Sequence, residues 1–309
     1  MSRIDILMAT YNGEKYISAQ IHSILYQSYS NWNLIIHDDG STDKTVEIVK
    51  GFCKIDTRIS LVEDNFKVQN AAIHFMYMLH FSNAQYICFC DQDDIWLDKK
   101  LETMFNTIQA TNNAIPQVVF SDAYLLHDDS NLIDGKLLFV KPTKLKEILF
   151  TNGGIHGSAS MFNAKMKECL DVKHTYVAMH DHLLTLIGCS FGQISYLNQK
   201  LFLYRQHQRN VTGNMNTSVF TRLKQAFGKS SHKYILSDKT IKGVKSFREV
   251  YFKNLALQDT FVLDNYIALI EYNTLRRFFT IVLHGYSLSH SRLHLWIKIL
   301  TRQFVNIPQ

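Results

Sequence analysis

The chain has 309 residues, 46% hydrophobic and 19% charged with only 3 prolines, which suits one large or two modest domains with a substantial core and excludes a long Pro-rich linker. Its formal charge of +6 is unevenly spread: Arg222 to Gln309 holds 14 Lys/Arg and 5 Asp/Glu, so the remainder is net acidic. An acidic part followed by a basic one asks for an anionic partner at the C-terminal end. No run of about 18 uncharged apolar residues occurs, so no membrane span is expected. The five cysteines are odd in number and lack C-x-x-C spacing, and Met1 to Leu7 holds no long apolar leader; both fit a reduced, cytoplasmic compartment.

Ile4 to Ala9 reads as a first strand, ending at Thr10, Tyr11, Asn12 and Gly13. Ile17, Ile21, Ile24 and Leu25 then share one face of a helix. Asn33 to His37 is a second strand that runs into Asp38-Asp39-Gly40-Ser41-Thr42-Asp43, where Ser41 or Thr42 is a natural N-cap for a helix reaching about Cys53. Ile59 to Val62 makes a third strand and Ala71 to Phe81 another helix. Tyr86 to Cys90, with Cys88 and Cys90 facing the same side, is a buried fourth strand that delivers Asp91, Asp93 and Asp94 at its end. Leu97 to Ala110 reads as helix and Val118 to Asp122 as a fifth strand. This alternation predicts an α/β fold with a mostly parallel, doubly wound sheet, whose ligands sit beyond the carboxyl ends of the strands. The polar clusters at Thr10, Asp38 and Asp91 therefore converge on one rim.

Past Leu145 the alternation weakens. Asn152 to Ser158 is a glycine-rich loop holding Gly153, Gly154, His156 and Gly157, and a helix starts near Ala164. His180-Asp181-His182 precede an apolar helix, and Lys200 to Tyr204 reads as a strand ending in Arg205, His207, Arg209 and Asn210. Beyond Gly213 the chain is mostly helical, basic and aromatic.

Two carboxylates spaced D-x-D repel each other unless a cation or hydrogen bonds offset them. Two such oxygen ligands suit Mg²⁺ or Mn²⁺, with substrate phosphates completing the shell; the plainer alternative is a solvated acidic turn. Arg205, His207 and Arg209 read as a diphosphate- or metal-binding turn, or as a solvated basic one. Asp181 reads as a general base or as a helix N-cap, and His180 and His182 as its neighbours or as surface residues. Packing is the heavier reading of Trp96, ahead of substrate stacking. The chain lacks G-x-G-x-x-G after its first strand, a P-loop and a G-x-S-x-G elbow, which leaves a metal, a phosphate-bearing donor and a lone carboxylate.

In this order, the blocks resemble glycosyltransferase family 2, the inverting sugar-nucleotide transferases of the GT-A fold. Met8 to Ile17 resembles the family's opening nucleotide-binding strand and helix, and His37 to Asp43 is similar to its D-D-G-S-T-D signature. Cys90 to Trp96 looks like its D-x-D block in the D-Q-D-D-x-W form, and Asp181 sits where the family places its acidic base. The first three blocks cover roughly the first 130 residues. With Tyr204 to Asn210 added, the pattern looks most like bacterial transferases that build O-antigens and capsules, rhamnosyltransferases among them. Two departures stand out. Lys67, Asn70 and Ala71 replace a glycine and an N-x-G stretch, and His182 replaces a frequent Trp.

The resemblance implies metal-dependent, inverting transfer of a sugar from a nucleoside-diphosphate sugar, dTDP-rhamnose or a UDP-hexose. The acceptor would be a hydroxyl of a lipid-diphosphate-linked saccharide in O-antigen, lipopolysaccharide or capsule synthesis. Thr10, Tyr11, Asn12 and Asp38 or Asp39 would hold the donor's base and ribose, and Lys67 and Arg205 its phosphates. Asp91 and Asp93 would bind the donor's ribose and, with His207, Mn²⁺ or Mg²⁺, while Asp94 orients the loop. Asp181 would deprotonate the acceptor, while Trp96, Gly154, His156, Gly157 and His180 shape the acceptor side. Residues 1–214 would form the GT-A catalytic domain (donor half about 1–130, acceptor half about 131–214), and 215–309 a helical basic region. There Arg276 to Leu283 and Leu293 to Leu300 read either as helices lying on the anionic inner face of the bacterial plasma membrane or as a pair packed on the catalytic domain. A phosphohydrolase of the haloacid-dehalogenase type also uses D-x-D after a strand, but after its first one, and here the pair closes the fourth. A nucleic-acid- or saccharide-binding protein is the third class, and the acidic rim argues against nucleic acid.

Overall fold

The computed structural model describes residues 2–137, 141–151, 154–207, 234–288 and 291–306. Strand β1 (Ile4–Thr10) sends Ile4, Ile6 and Met8 to one face of a sheet and Leu7 to the other. Helix α1 (Ile17–Leu25) buries Ile17, Ile21 and Ile24 against the first face. Strand β2 (Trp32–Asp38) lies parallel to β1, and β3 (Ile59–Val62) parallel to β2. Strand β4 (Tyr86–Asp91) lies parallel to β1 on its other side, with Cys88 and Cys90 buried on one face as expected. Helices α2 (Thr45–Ile55) and α3 (Ala71–Met78), the latter extended by a 3₁₀ turn at Leu79–Phe81, complete the crossovers. Register sets Thr10 opposite Asp38 and Ala9 opposite Asp91, so three strands end level.

The chain continues with β5 (Ile95–Trp96), α4 (Lys100–Gln109), β6 (Gln117–His127), β7 (Ile133–Asp134), α5 (Leu145–Ile148) and a 3₁₀ turn at Gly157–Ala159. Next come β8 (Ser160–Asn163), α6 (Ala164–Cys169), α7 (His180–Ser190) and β9 (Gln193–Gln206). The sheet order is β3-β2-β1-β4-β8-β6-β9-β5, and β8 enters antiparallel to both β4 and β6. Strand β9, far longer than Lys200 to Tyr204, pairs parallel with β6 and antiparallel with β5. That last pairing returns Arg205 and His207 to the acidic loop between β4 and β5.

Three expected helix starts need correcting. Helix α4 begins at Lys100 rather than Leu97, because Ile95 and Trp96 join the sheet opposite Leu203 and Phe202. Ser41 and Thr42 do not cap α2: both are bonded to Asn12, and Asp43 Oδ1 accepts from Thr45 N–H at 3.0 Å instead. Asp181 is not an N-cap either, since Met179 holds that position and Asp181 lies in the first turn of α7.

The C-terminal region is β10 (Tyr234–Ser237), α8 (Asp238–Val250), α9 (Leu257–Ala268), α10 (Thr274–His284), α11 (Arg292–Thr301) and β11 (Gln303–Asn306). It is mostly helical as expected, with a parallel β10–β11 pair that the hydrophobic pattern did not announce. Val244, Phe247, Leu263, Tyr266, Ile281 and Leu295 join the buried cluster that holds Leu7, Ile87 and Phe89 of the sheet. One side of this region is therefore packed on the catalytic sheet. The expected boundary at 214/215 falls outside the described residues. No described helix is long and apolar enough to cross a membrane.

Candidate active site

The level ends of β1, β2 and β4 floor a cleft of about 1440 Å³. Single-ligand pockets usually span roughly 300–1,000 Å³, so two substrates have room. Among the described residues, eight carboxylates line it: Glu14, Asp39, Asp43, Asp91, Asp93, Asp128, Asp129 and Asp181. Lys15 is the one lysine or arginine in that lining, and Arg205 pairs with Asp128 just outside it.

One wall is a mesh of side chains bonded to each other. Thr10 Oγ1 donates to Asp38 Oδ1 at 3.0 Å, and Asp38 Oδ2 accepts from Gly40 N–H and Ser41 N–H. Asn12, held at φ 46°, accepts from Thr42 N–H at 2.8 Å and donates its own N–H to Ser41 Oγ at 2.8 Å. The Gln92 side chain clamps Tyr11, accepting its N–H at 3.0 Å and donating to its carbonyl at 2.9 Å. Asp39 faces the cleft and takes Val68 N–H at 2.6 Å. Behind it runs a line of rings that ends in the buried His37 and His74: Tyr77 OH donates to Asp64 Oδ2 at 2.8 Å, Asp64 Oδ1 lies 2.9 Å from His37 Nε2, and His37 Nδ1 lies 2.6 Å from His74 Nε2. His74 lines the cleft with Nδ1 4.0 Å from Asp39. The bond to His37 first of all pulls Asp64 down to about 2, while burial pulls His74 down to about 4.

At the floor, Asp91 is pushed up to about 7, first by burial and then by the charge of Asp93, with a Ser158 bond opposing. Asp93 Oδ2 meets His207 Nε2 at 2.7 Å, and the His207 ring stacks on Tyr16 with centroids 5.2 Å apart. Asp94 is buried; its Oδ1 accepts Arg205 N–H at 3.1 Å, which ties the acidic loop to β9. Arg205 Nε donates to the Asp93 carbonyl at 2.8 Å and its Nη1 reaches Asp128 at 3.4 Å.

The opposite wall is the first turn of α7 against the Gly157–Ala159 turn. Burial raises Asp181 to about 6, opposed by N–H groups of His182, Gly157 and Asp181 itself, and its Oδ1 is buried with no partner. Burial lowers His156 to about 4 and His180 to about 3, so both rings are neutral near pH 7. A Cβ on Gly157 would stand 2.3 Å from His180 Nε2, so only glycine permits this approach. Lys100, fully buried, donates to the Ser158 carbonyl and is lowered to about 8 by burial.

The cleft thus gathers Thr10, Tyr11, Asn12, Asp39, Asp91, Asp93, His156, Gly157, His180, Asp181 and His207. Other expected residues are not in its lining. Trp96 is buried under the Lys100 ammonium, 4.2 Å from its ring, and packs the core instead of meeting an acceptor. Gly154 makes room for Thr185, whose Oγ1 would lie 2.0 Å from a Cβ there. Asp38 is spent on its own loop, Lys67 on the Asp38 carbonyl, and Arg205 on Asp93 and Asp128. His182 is no surface residue: it is buried facing Gly243 of α8. Gly153, Arg209 and Asn210 lie outside the described residues. Asp91, Asp93 and His207 do not form a three-ligand metal cage, and no such group exists among the described residues. The two carboxylates fit a hard cation that takes its remaining oxygens from substrate. Sequence reading missed Tyr16, His74, Lys100, Asp128 and Ser158. Only Lys100 carried a signal, since it shares the buried α4 face with Leu101, Met104, Phe105 and Ile108.

A family model described as Glycosyl transferase family 2 matches residues 5–170, and the chain belongs to that family of nucleotide-sugar-dependent glycosyltransferases. It is 34% identical over 214 residues to Escherichia coli WfgD, a UDP-Glc:alpha-D-GlcNAc-diphosphoundecaprenol beta-1,3-glucosyltransferase, covering 68% of this chain and 80% of WfgD. To the dTDP-rhamnosyl transferase RfbG of Shigella flexneri it is 28% identical over 224 residues, covering 67% and 73%. In fold it is similar to S. aureus TarS 1-349 in complex with UDP-GlcNAc, with a TM-score of 0.56 at 16% identity over 96% of this chain and 79% of that one. The mannosyltransferase PcManGT from Pyrobaculum calidifontis, in complex with GDP-Man and Mn²⁺, gives 0.55 at 13% over 92% and 73%. The GT-A fold and the transferase class are as the resemblance implied, and the phosphohydrolase and nucleic-acid readings give way.

Proposed function

We propose that the enzyme moves a hexose or deoxyhexose, with inversion, from a nucleoside-diphosphate sugar to a hydroxyl of a lipid-diphosphate-linked saccharide. The names of WfgD and RfbG support a UDP-hexose or dTDP-rhamnose donor and an O-antigen- or capsule-type product. The observation that carries the reading is the charge of the cleft: among the described residues its lining holds eight carboxylates and one lysine, a field that repels a diphosphate unless a cation offsets it. Asp91 and Asp93 would hold Mn²⁺ or Mg²⁺, which would neutralise charge on the departing diphosphate.

The remaining work falls to the chain's own residues. Tyr11 and Asp39 take the nucleoside against the bonded wall, Thr10 and Asn12 fix that wall, and Asp94 and Arg205 hold the floor loop in place. The acceptor oxygen attacks the anomeric carbon from the Asp181 side as the bond to the diphosphate oxygen breaks. Its proton passes to the carboxylate of Asp181, which lines the cleft. Neutral His156 and His180 leave that carboxylate without a competing cation. A lipid-linked acceptor would call for the enzyme to work peripherally on the cytoplasmic face of the plasma membrane.

A thermal-shift screen of nucleotide sugars with and without Mn²⁺ tests this. A UDP- or dTDP-sugar should raise the melting temperature only with the cation. Equal shifts without it would remove the cation from the proposal, and no shift with any nucleotide sugar would remove the donor.

A further inference from the structure

Helices α10 and α11 are apolar on two opposite faces. Ile281 of α10 and Leu295 and Ile299 of α11 are buried against the core. On the far side, Leu275, Phe279 and Leu283 follow i, i+4, i+8 spacing and are 71%, 60% and 79% exposed. On α11, Leu293, Ile297 and Leu300 follow i, i+4, i+7 spacing and are all exposed. The helices adjoin through the Phe278 and Trp296 rings, 6.1 Å apart. A helix on a watery surface carries polar residues on its outer face, and a contiguous exposed apolar stripe marks an interaction site.

Charge selects the partner. From Tyr272 to Gln309 the chain has no Asp or Glu and five Lys/Arg: Arg277 turns inward to the Leu269 and Ile270 carbonyls, while Arg276, Arg292, Lys298 and Arg302 are the others. A second copy joined through a two-fold axis would set this face against itself, cation toward cation with no acid between. Leucine and phenylalanine flanked by cations alone match the headgroup boundary of an anionic bilayer, where apolar side chains enter the acyl edge and Arg and Lys meet phosphates. We infer that α10 and α11 form a docking surface for anionic phospholipid. This deepens the proposed function by naming where the enzyme meets its lipid-linked acceptor.

The test is sedimentation of the full chain with phosphatidylglycerol or phosphatidylcholine vesicles, beside the Leu275→Asp/Leu283→Asp variant. The wild type should pellet with phosphatidylglycerol, less with phosphatidylcholine, and less as salt rises. The variant, folded by circular dichroism, should bind at least about tenfold more weakly while its nucleotide-sugar thermal shift is unchanged. A wild type that stays in solution with both vesicles overturns the inference, and so does self-association that the variant abolishes. A wild type that binds donor but neither vesicle sinks the docking surface alone. Vesicle binding without donor binding sinks the transferase proposal alone.

Discussion

The two walls of the cleft are built on opposite terms. On the nucleotide side, Thr10, Asn12, Asp38 and Ser41 satisfy one another's hydrogen bonds within two loops. On the floor and the reaction side, Asp94 Oδ2, His180 Nδ1 and Asp181 Oδ1 are buried with no partner. Satisfied polar groups hold a shape, whereas unsatisfied ones cost stability until something arrives to bond them. Both sets look alike in the sequence, as polar clusters at element ends. The difference teaches that shape and reactivity are entrusted to different residues.

Breaking the contrast at its reactive end should give the largest effect. Asp181→Asn should lower kcat by about 10²–10⁴ with donor KM preserved, and steady-state kinetics on the purified enzyme read this directly. Its stability effect has the opposite sign. Burial raises Asp181 from 3.8 to about 6, so the folded state binds the extra proton. The penalty is absent below pH about 4 and complete above pH about 6, where it reaches at most about 3 kcal/mol. Cation-free Asp181→Asn should therefore melt above the wild type at pH 8 and level with it near pH 4; calorimetry at the two values decides.

Gly157→Ala comes next. Its methyl would meet the His180 ring at 2.3 Å, so the variant should lose about 1–3 kcal/mol of stability and up to about 10²-fold in kcat. If it is as active as the wild type, the close wall is not needed for the chemistry. The pH profile is gentler: since Asp181 must be ionised to accept a proton, kcat/KM should fall about tenfold per unit below pH about 6. Smallest of all, Trp96→Phe should cost about 1–3 kcal/mol in denaturant unfolding yet leave acceptor KM unchanged. A rise in that KM would put Trp96 back in the site.

How much of this was legible in the sequence depended on the range of the contact. The strands that end at Thr10, Asp38 and Asp91 were readable because each is a local run of apolar residues closed by polar ones. Their level alignment followed from the rule for parallel sheets. The antiparallel entry of β8 between β4 and β6 was not readable, since periodicity names a strand and not its neighbour. Trp96 and Gly154 were placed on the acceptor side by their motif and loop, but local pattern does not tell which way a side chain turns. Lys100 and Ser158 meet across 58 residues, and no window of sequence joins them. Asp128 meets Arg205 across 77 residues, and the pairing of β6 with β9 is what brings them together.

The rings behind Asp39 have a directional logic. An ionised Asp64 can only accept, so a neutral His37 would give it the Nε2 proton and keep a bare Nδ1. That nitrogen in turn takes the Nε2 proton of His74, which leaves His74 Nδ1 bare toward the cleft, beside the oxygens of Asp39. The polarity set at Asp64 thus passes inward through two rings and emerges as a patch of lone pairs alone. Any group that settles there has to bring its own hydrogen, and one that offers only another lone pair is turned away.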